Sequence, residues 1–287
     1  MGAANEKPRL ARLGSLLDEW DAYAQTAYDA RQTGAARGPV TGFKYLDEEL
    51  GHALQPGVHV LHGDSGAGKT AFAGQVAATC GVPALYISCE MPLLELFRRH
   101  AARVTGTFLH KFKSGELPPD QAARLARETA AAIPYLTLAD ATRYPATREW
   151  ITQAAAIARG ESPHLLIVVD SIHSWVESLD AGVNEYEGLN QGMAALRAIA
   201  GELECAILAI AERNRASAGK GGLSASAGSR KAEYGSESVI SLLSGERNAL
   251  GLVPVTVKLE KNRHGRPGAT FDLTFDGAVQ TFRQGKA

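Results

Sequence analysis

Residues Gly63-Asp64-Ser65-Gly66-Ala67-Gly68-Lys69-Thr70 follow the spacing G-x-x-x-x-G-K-[ST]; an apolar run precedes them and a helix-forming stretch follows. Each residue type has a physical role in that order. Glycines let the backbone wrap closely around phosphate oxygens, and successive N–H groups point into the wrap. The helix that follows directs its positive end at the same anion. Lys69 reaches the outer phosphates, and the Thr70 hydroxyl can ligate magnesium. All eight residues are therefore expected to cradle ATP, with Lys69 also serving the reaction. By average residue usage such a match arises by chance about once in a hundred chains of this length. The required strand and helix make it rarer.

Two carboxylates have the chemistry to complete the site. Leu165-Leu166-Ile167-Val168-Val169-Asp170 reads as a buried strand ending in an acid. In an open parallel sheet, ligands sit beyond the C-terminal strand ends, so Asp170 is placed to hold magnesium with Thr70. By itself such an Asp reads as a helix N-cap; beside the glycine-rich loop the metal role is preferred. Glu90 follows the strand at 84–88 and precedes a helix started by Pro92. It is expected to act as the base that orients and polarises a water near the γ-phosphate. The competing reading is a first-turn carboxylate favoured by the helix dipole.

These residues need a sheet that presents strand ends along one rim. After residue 40, apolar strands expected at 58–62, 84–88, 135–139, 165–170 and 206–211 alternate with helices at 69–80, 92–104, 119–132, 147–159 and 188–203. That alternation predicts an α/β fold, a mostly parallel sheet with helices on both faces. Strands at 238–243, 253–261, 269–275 and 278–282 then follow with short turns, predicting an antiparallel C-terminal extension. Residues 8–32 predict a separate helix, whose Leu10, Leu13, Leu17, Trp20, Ala24 and Ala27 form one apolar stripe. A helix this short cannot bury the stripe alone, so it docks on its own core or on a neighbouring subunit. A linker at 33–39 divides the chain into residues 1–37 and an ATPase domain at 38–287.

Composition narrows the class. With a net charge of −1 over 287 residues, any nucleic-acid contact must come from a local patch. Three cysteines without C-x-x-C spacing argue against a zinc site or a disulfide framework. There is no signal-like N-terminus and no stretch of roughly 20 apolar residues, so the expectation is a cytoplasmic protein without a membrane partner. His59 and His62 lack companions at metal-ligand spacing and read as structural. Arg98, Arg99 and Arg103 read as a solvated or intersubunit helix face.

The chain resembles the RecA superfamily of P-loop NTPases, and within it the motor domain of DnaB-like replicative helicases; RadA/Sms and KaiC-like ATPases share much of the pattern. The likeness spans roughly 38–285. It is carried by TGFKYLDEELGHALQPG (41–57), the glycine-rich loop, LYISCEM (85–91), LLIVVDS (165–171), ILAIAERNR (207–215) and EKNRHGRPGATFDLTFDG (260–277). Glu90 matches the family's catalytic glutamate. Lys261 and Arg263 match a Lys-x-Arg pair that reaches a neighbour's ATP; the competing reading is a solvated strand end. The resemblance thus implies a homo-oligomer, a hexameric ring or a filament, with shared sites, and replication or repair proteins as partners. It also favours the intersubunit reading of the N-terminal stripe.

In RecA-fold motors two channel-facing loops hold single-stranded DNA. The first would fall near 172–187, which is acidic and carries Trp175 and Tyr186. The second, 213–235, holds Arg213, Arg215, Lys220, Arg230 and Lys231 on a glycine-rich segment suited to tracking a phosphate backbone. A basic solvated loop is the alternative. Where the helicases carry a glutamine sensor this chain has Glu212, expected to point elsewhere or to pair with Arg213 or Arg215. The implied activity is an ATP-hydrolysing helicase or translocase on single-stranded DNA. The alternative is a nucleotide-gated DNA-binding or recombination ATPase without unwinding activity.

Overall fold

The computed structural model describes residues 10–35, 37–179, 184–212 and 235–285. The chain separates into two units, Met1–Arg37 and Gly38–Ala287. In the first, a 3-10 turn at Leu13–Leu16 leads into α1 (Leu17–Thr33), which ends on Gly34 at φ +71°. The α-helix starts later than its apolar stripe suggests. Gly14 weakens the first turn, and the Ser15 hydroxyl donates back to the Arg12 carbonyl at 2.8 Å. Leu10, Leu13, Leu17 and Trp20 are exposed, Leu10 by 98%.

The second unit opens with α2 (Lys44–Glu49) and then alternates: β1 (Gly57–Gly63), α3 (Lys69–Thr79), β2 (Ala84–Ser88), α4 (Leu93–Thr105), α5 (Lys111–Ser114), α6 (Pro119–Ala132), β3 (Leu136–Asp140), α7 (Arg148–Arg159), β4 (Leu166–Asp170), α8 (Ile172–Leu179), α9 (Glu185–Leu203) and β5 (Ala206–Glu212). β6 (Ser238–Ser244), β7 (Val253–Asn262), β8 (Thr270–Asp276) and β9 (Thr281–Gln284) finish it. One nine-stranded sheet results, ordered β3-β2-β4-β5-β1-β6-β7-β8-β9.

The strands from β3 to β6 run parallel and β7 to β9 antiparallel. The expectation that the extension begins at 238 is corrected here, since β6 lies parallel to β1. With β5 and β6 both parallel to β1, the chain enters β6 from the same end of the sheet as the earlier strands. The last strand is also shifted, to Thr281–Gln284 from the expected 278–282. Val279 is buried in the hairpin turn instead, and Gln280 turns the chain at φ +55°.

Strand alternation feeds two cores. Leu61, Tyr86, Val168, Leu208 and Ile240 face Phe72 and Val76 of α3 and Leu46 of α2. Val60, Ile87, Val169 and Ile207 face Ile151, Trp175, Leu196 and Ile199 of α7 to α9. Among the described residues no helix is long and apolar enough to cross a membrane. Cys80, Cys89 and Cys205 are free thiols.

Two histidines are buried neutral. His59 bonds the Ser238 hydroxyl and the Gln55 carbonyl, each at 2.8 Å, and burial lowers its pKa to about 4. His100 on α4 is lowered to about 3 by burial and by the Arg103 charge. The unfolded chain binds a proton at each below about pH 6.5 while the folded protein does not, so stability falls as pH drops from there. The loss is up to about 1.4 kcal/mol per pH unit for each histidine. Urea midpoints should therefore be flat above pH 7 and decline between pH 6.5 and 5. An unchanged midpoint across that window contradicts this.

Candidate functional site

β1 delivers Gly63 to the rim, where it pairs in register with Glu212 on one side and Leu242 on the other. The loop then closes on itself, the Ala67 N–H donating to the Asp64 carbonyl at 3.1 Å. Gly68, at φ +87°, starts α3, and a Cβ there would lie 2.9 Å from the Phe282 ring. Only glycine fits both that torsion and that contact. Lys69 Nζ donates to the carbonyls of Gly63 (2.9 Å) and Asp64 (3.1 Å), so the cation lies folded over the loop. Ser65, Gly66, Gly68, Lys69 and Thr70 line a cleft of about 300 Å³. The Ala67 side chain is buried in the core and Asp64 is exposed, and neither side chain lines the cleft.

Both predicted carboxylates border this cleft. The register Ser88↔Asp170 brings the ends of β2 and β4 to one level, and the Cys89 N–H donates to the Asp170 carbonyl at 2.7 Å. Asp170 is buried; Tyr86 Oη donates to its Oδ2 at 2.6 Å, and the Thr70 hydroxyl also bonds it. Burial raises the Asp170 carboxyl above its ordinary range. The Tyr86 and Thr70 hydrogen bonds pull it back, the Glu90 charge raises it further and the Lys69 charge lowers it. Glu90 receives Ser171 Oγ at 2.6 Å and Ser174 Oγ at 2.7 Å, both on Oε1.

The donor set suits a hard divalent cation. The Thr70 hydroxyl and the Asp170 carboxylate lie within hydrogen-bond reach of each other and could offer two oxygen ligands; the Glu90 charge nearby is one that a bound cation would relieve. Among the described residues no cluster of three or more His, Cys, Asp or Glu could hold a metal, so a cation here would rest on Thr70, Asp170 and groups that the ligand itself brings.

Lys261 and Arg263 do not join the cleft. Asn262 pairs with Ser238, which pairs with His59, so the two cations stand at the rim opposite Gly63. There Lys261 Nζ donates to the Ser236 carbonyl at 2.7 Å, and Arg263 pairs with Glu237 at 3.1 Å. Glu212 is among the residues that border the cleft; its suggested partners Arg213 and Arg215 lie outside the described residues, as do Lys220, Arg230 and Lys231.

Two sequence expectations are revised. Arg98, Arg99 and Arg103 do not form a solvated face: all three are partly buried, and Arg99 lines the cleft, donating to Gln280 Oε1 at 2.5 Å. Arg98 pairs with Glu95 at 3.4 Å, and Arg103 lies in an adjoining crevice with Gly74 and His100. The spacing Leu96, Arg99, His100, Arg103 is that of one inward helical face and is the signal that points to this. Much of 172–187, expected as a loop, is α8 and the start of α9. Trp175 is core, its Nε1 donating to the Ala146 carbonyl at 2.7 Å. Tyr86, Ser171, Ser174, Phe275 and Gln280 also belong to the site or touch its acids, and sequence reading missed them.

A glycine-rich loop after a central parallel strand, with acids on neighbouring strands and an antiparallel tail, defines a RecA-like P-loop nucleotide-binding core. The chain belongs to the DnaB-like helicase C-terminal domain family, whose profile matches residues 38–284. It is similar in structure to a separately solved ATPase domain, at 18% identity and TM-score 0.76, covering 93% of this chain and 98% of that one. A DnaB-like replicative helicase, solved in a study of its interactions with primase, aligns at 18% identity and TM-score 0.73, over 91% of this chain and 66% of its own. The RadB recombinase aligns at 17% identity and TM-score 0.57, over 86% and 99%. A sequence search of curated proteins found no match.

Proposed function

We propose that this chain is the motor subunit of a homo-oligomer that hydrolyses ATP with magnesium and acts on single-stranded DNA. In this reading residues 38–287 form the ATPase domain, and the stripe on residues 1–37 docks on a neighbouring subunit. The reading rests above all on the division of the site: Lys69, Thr70, Glu90 and Asp170 surround one cleft, while Lys261 and Arg263 stand at the opposite rim. Cations there are useful to hydrolysis only across a subunit boundary. Backbone amides of 63–70 and Lys69 hold the triphosphate, and Thr70 and Asp170 hold the metal. Magnesium, when bound, neutralises charge between the outer phosphates. Glu90 orients a water for in-line attack and takes its proton. Arg263 of the adjacent subunit stabilises the charge that develops.

Glu90→Gln should lower kcat on the order of 10²–10³-fold while nucleotide affinity stays within a few-fold. Parental turnover in that variant would remove Glu90 from the chemistry. Arg213, Arg215, Lys220, Arg230 and Lys231 are assigned to the DNA backbone. Glu212, bordering the cleft where the helicases carry glutamine, favours a second reading, a nucleotide-gated DNA-binding or recombination ATPase that does not unwind. Unwinding of a forked duplex and stimulation of hydrolysis by single-stranded DNA support the motor; absence of both supports the second.

A further inference from the structure

We infer that the start of α8 is a positioning device for Glu90, with Ser171 and Ser174 fixing which carboxylate oxygen meets the attacking water. The inference rests on the assignment of Glu90 as the base. Both hydroxyls donate to Oε1, at 2.6 and 2.7 Å. Each serine has one hydroxyl proton, so both are committed to that oxygen. The 3.2 Å approach between the two Oγ atoms then carries no proton of its own, and it is the Ser174 N–H that donates to Ser171 Oγ, at 3.4 Å. An oxygen accepting two hydroxyls is the poorer proton acceptor. Among the described residues Oε2 accepts no hydrogen bond, which leaves it as the basic one.

The device matters because Glu90 is exposed on a turn and would otherwise sample several rotamers. Its own strand holds only the backbone nearby, where Ser88 Oγ both donates to the Met91 carbonyl and accepts the Met91 N–H. The side chain is aimed by a different element. α8 is itself anchored at both ends of its first turn: Ser171 directly follows Asp170, and Trp175 is buried with its Nε1 bonded to the Ala146 carbonyl. His173, between the two serines, accepts the Glu212 N–H at 3.4 Å. One helical turn therefore touches the ends of β2, β4 and β5 and fixes the base relative to the metal carboxylate.

Ser171 borders the cleft and Ser174 is not part of its lining, so Ser174 is the cleaner probe of action through Glu90. Ser174→Ala should lower kcat roughly tenfold, and Ser171→Ala with Ser174→Ala on the order of a hundredfold, with KM for ATP and the affinity for a fluorescent ADP unchanged. Ser174→Thr, which keeps the hydroxyl, should restore most of the loss. In a Glu90→Gln background, adding Ser174→Ala should cost nothing further, whereas a merely structural serine would lower activity again. If Glu90→Gln is inactive while the double serine variant turns over at the parental kcat, the positioning role is wrong and the base assignment stands. If Glu90→Gln turns over normally, the base assignment fails first. Should the double variant not fold, the single Ser174→Ala and its threonine counterpart decide by the same split between kcat and KM.

Discussion

Lys69→Ala is expected to lower kcat for ATP roughly 10³-fold and to weaken nucleotide binding as well. The side chain already spans the loop, with Nζ bonded to the Gly63 and Asp64 carbonyls. An ammonium has three protons, so one remains for a phosphate oxygen without any rearrangement of the loop. Alanine removes that cation, while the Asp64 carbonyl keeps the Ala67 N–H as its donor. The loop itself should survive, because its shape comes from Gly66 and Gly68 at φ +83° and +87° and from the Ala67-to-Asp64 hydrogen bond. Steady-state turnover and titration with a fluorescent nucleotide check this. Undiminished turnover would mean that the loop is not the site of hydrolysis.

Arg263→Ala is expected to cost 10³–10⁵-fold in turnover, on the order of what a cation delivered to a γ-phosphate contributes. Nucleotide affinity of the variant should not change, because Arg263 stands at the rim opposite the cleft, paired with Glu237. A mixture of the two defective proteins gives the sharper test. Where an Arg263→Ala subunit supplies the phosphate loop and a Lys69→Ala subunit supplies the arginine, the shared site is whole. Mixing should then recover turnover that neither variant has alone. Normal turnover by Arg263→Ala, or a mixture no better than its parts, would overturn the shared site.

What can be read from the sequence is what lies contiguous in it. The eight-residue loop carries its chemistry in order, and the apolar run ending at Asp170 states both the strand and the acid at its tip. Glu90 is accessible for the same reason. The hydroxyls of Tyr86, Ser171 and Ser174 are not, since their meaning comes from strand register and from a helix docking across two strand ends. Arg99 escapes such a reading because charge ordinarily signals solvent, although its spacing with Leu96 and His100 marks an inward face. That β6 runs parallel to β1 depends on which end of the sheet the chain re-enters, which strand composition does not encode. Val279 looks like strand because it is apolar, yet its burial comes from a hairpin turn.

The last hairpin has a consequence for the other end of the domain. Phe275 and Phe282 stack at 4.5 Å, Phe282 meets Phe72 edge-on at 5.4 Å, and Phe72 stacks on Phe43 at 4.9 Å. Gln75 on α3 clasps the Phe282 backbone through both its amide groups. The ring of Phe282 is thus the floor beneath Gly68, and the final strand underpins the phosphate loop from below. A chain cut short before Thr281 would lose that floor, and with it the seat of the triphosphate, even though every residue of the loop itself remained.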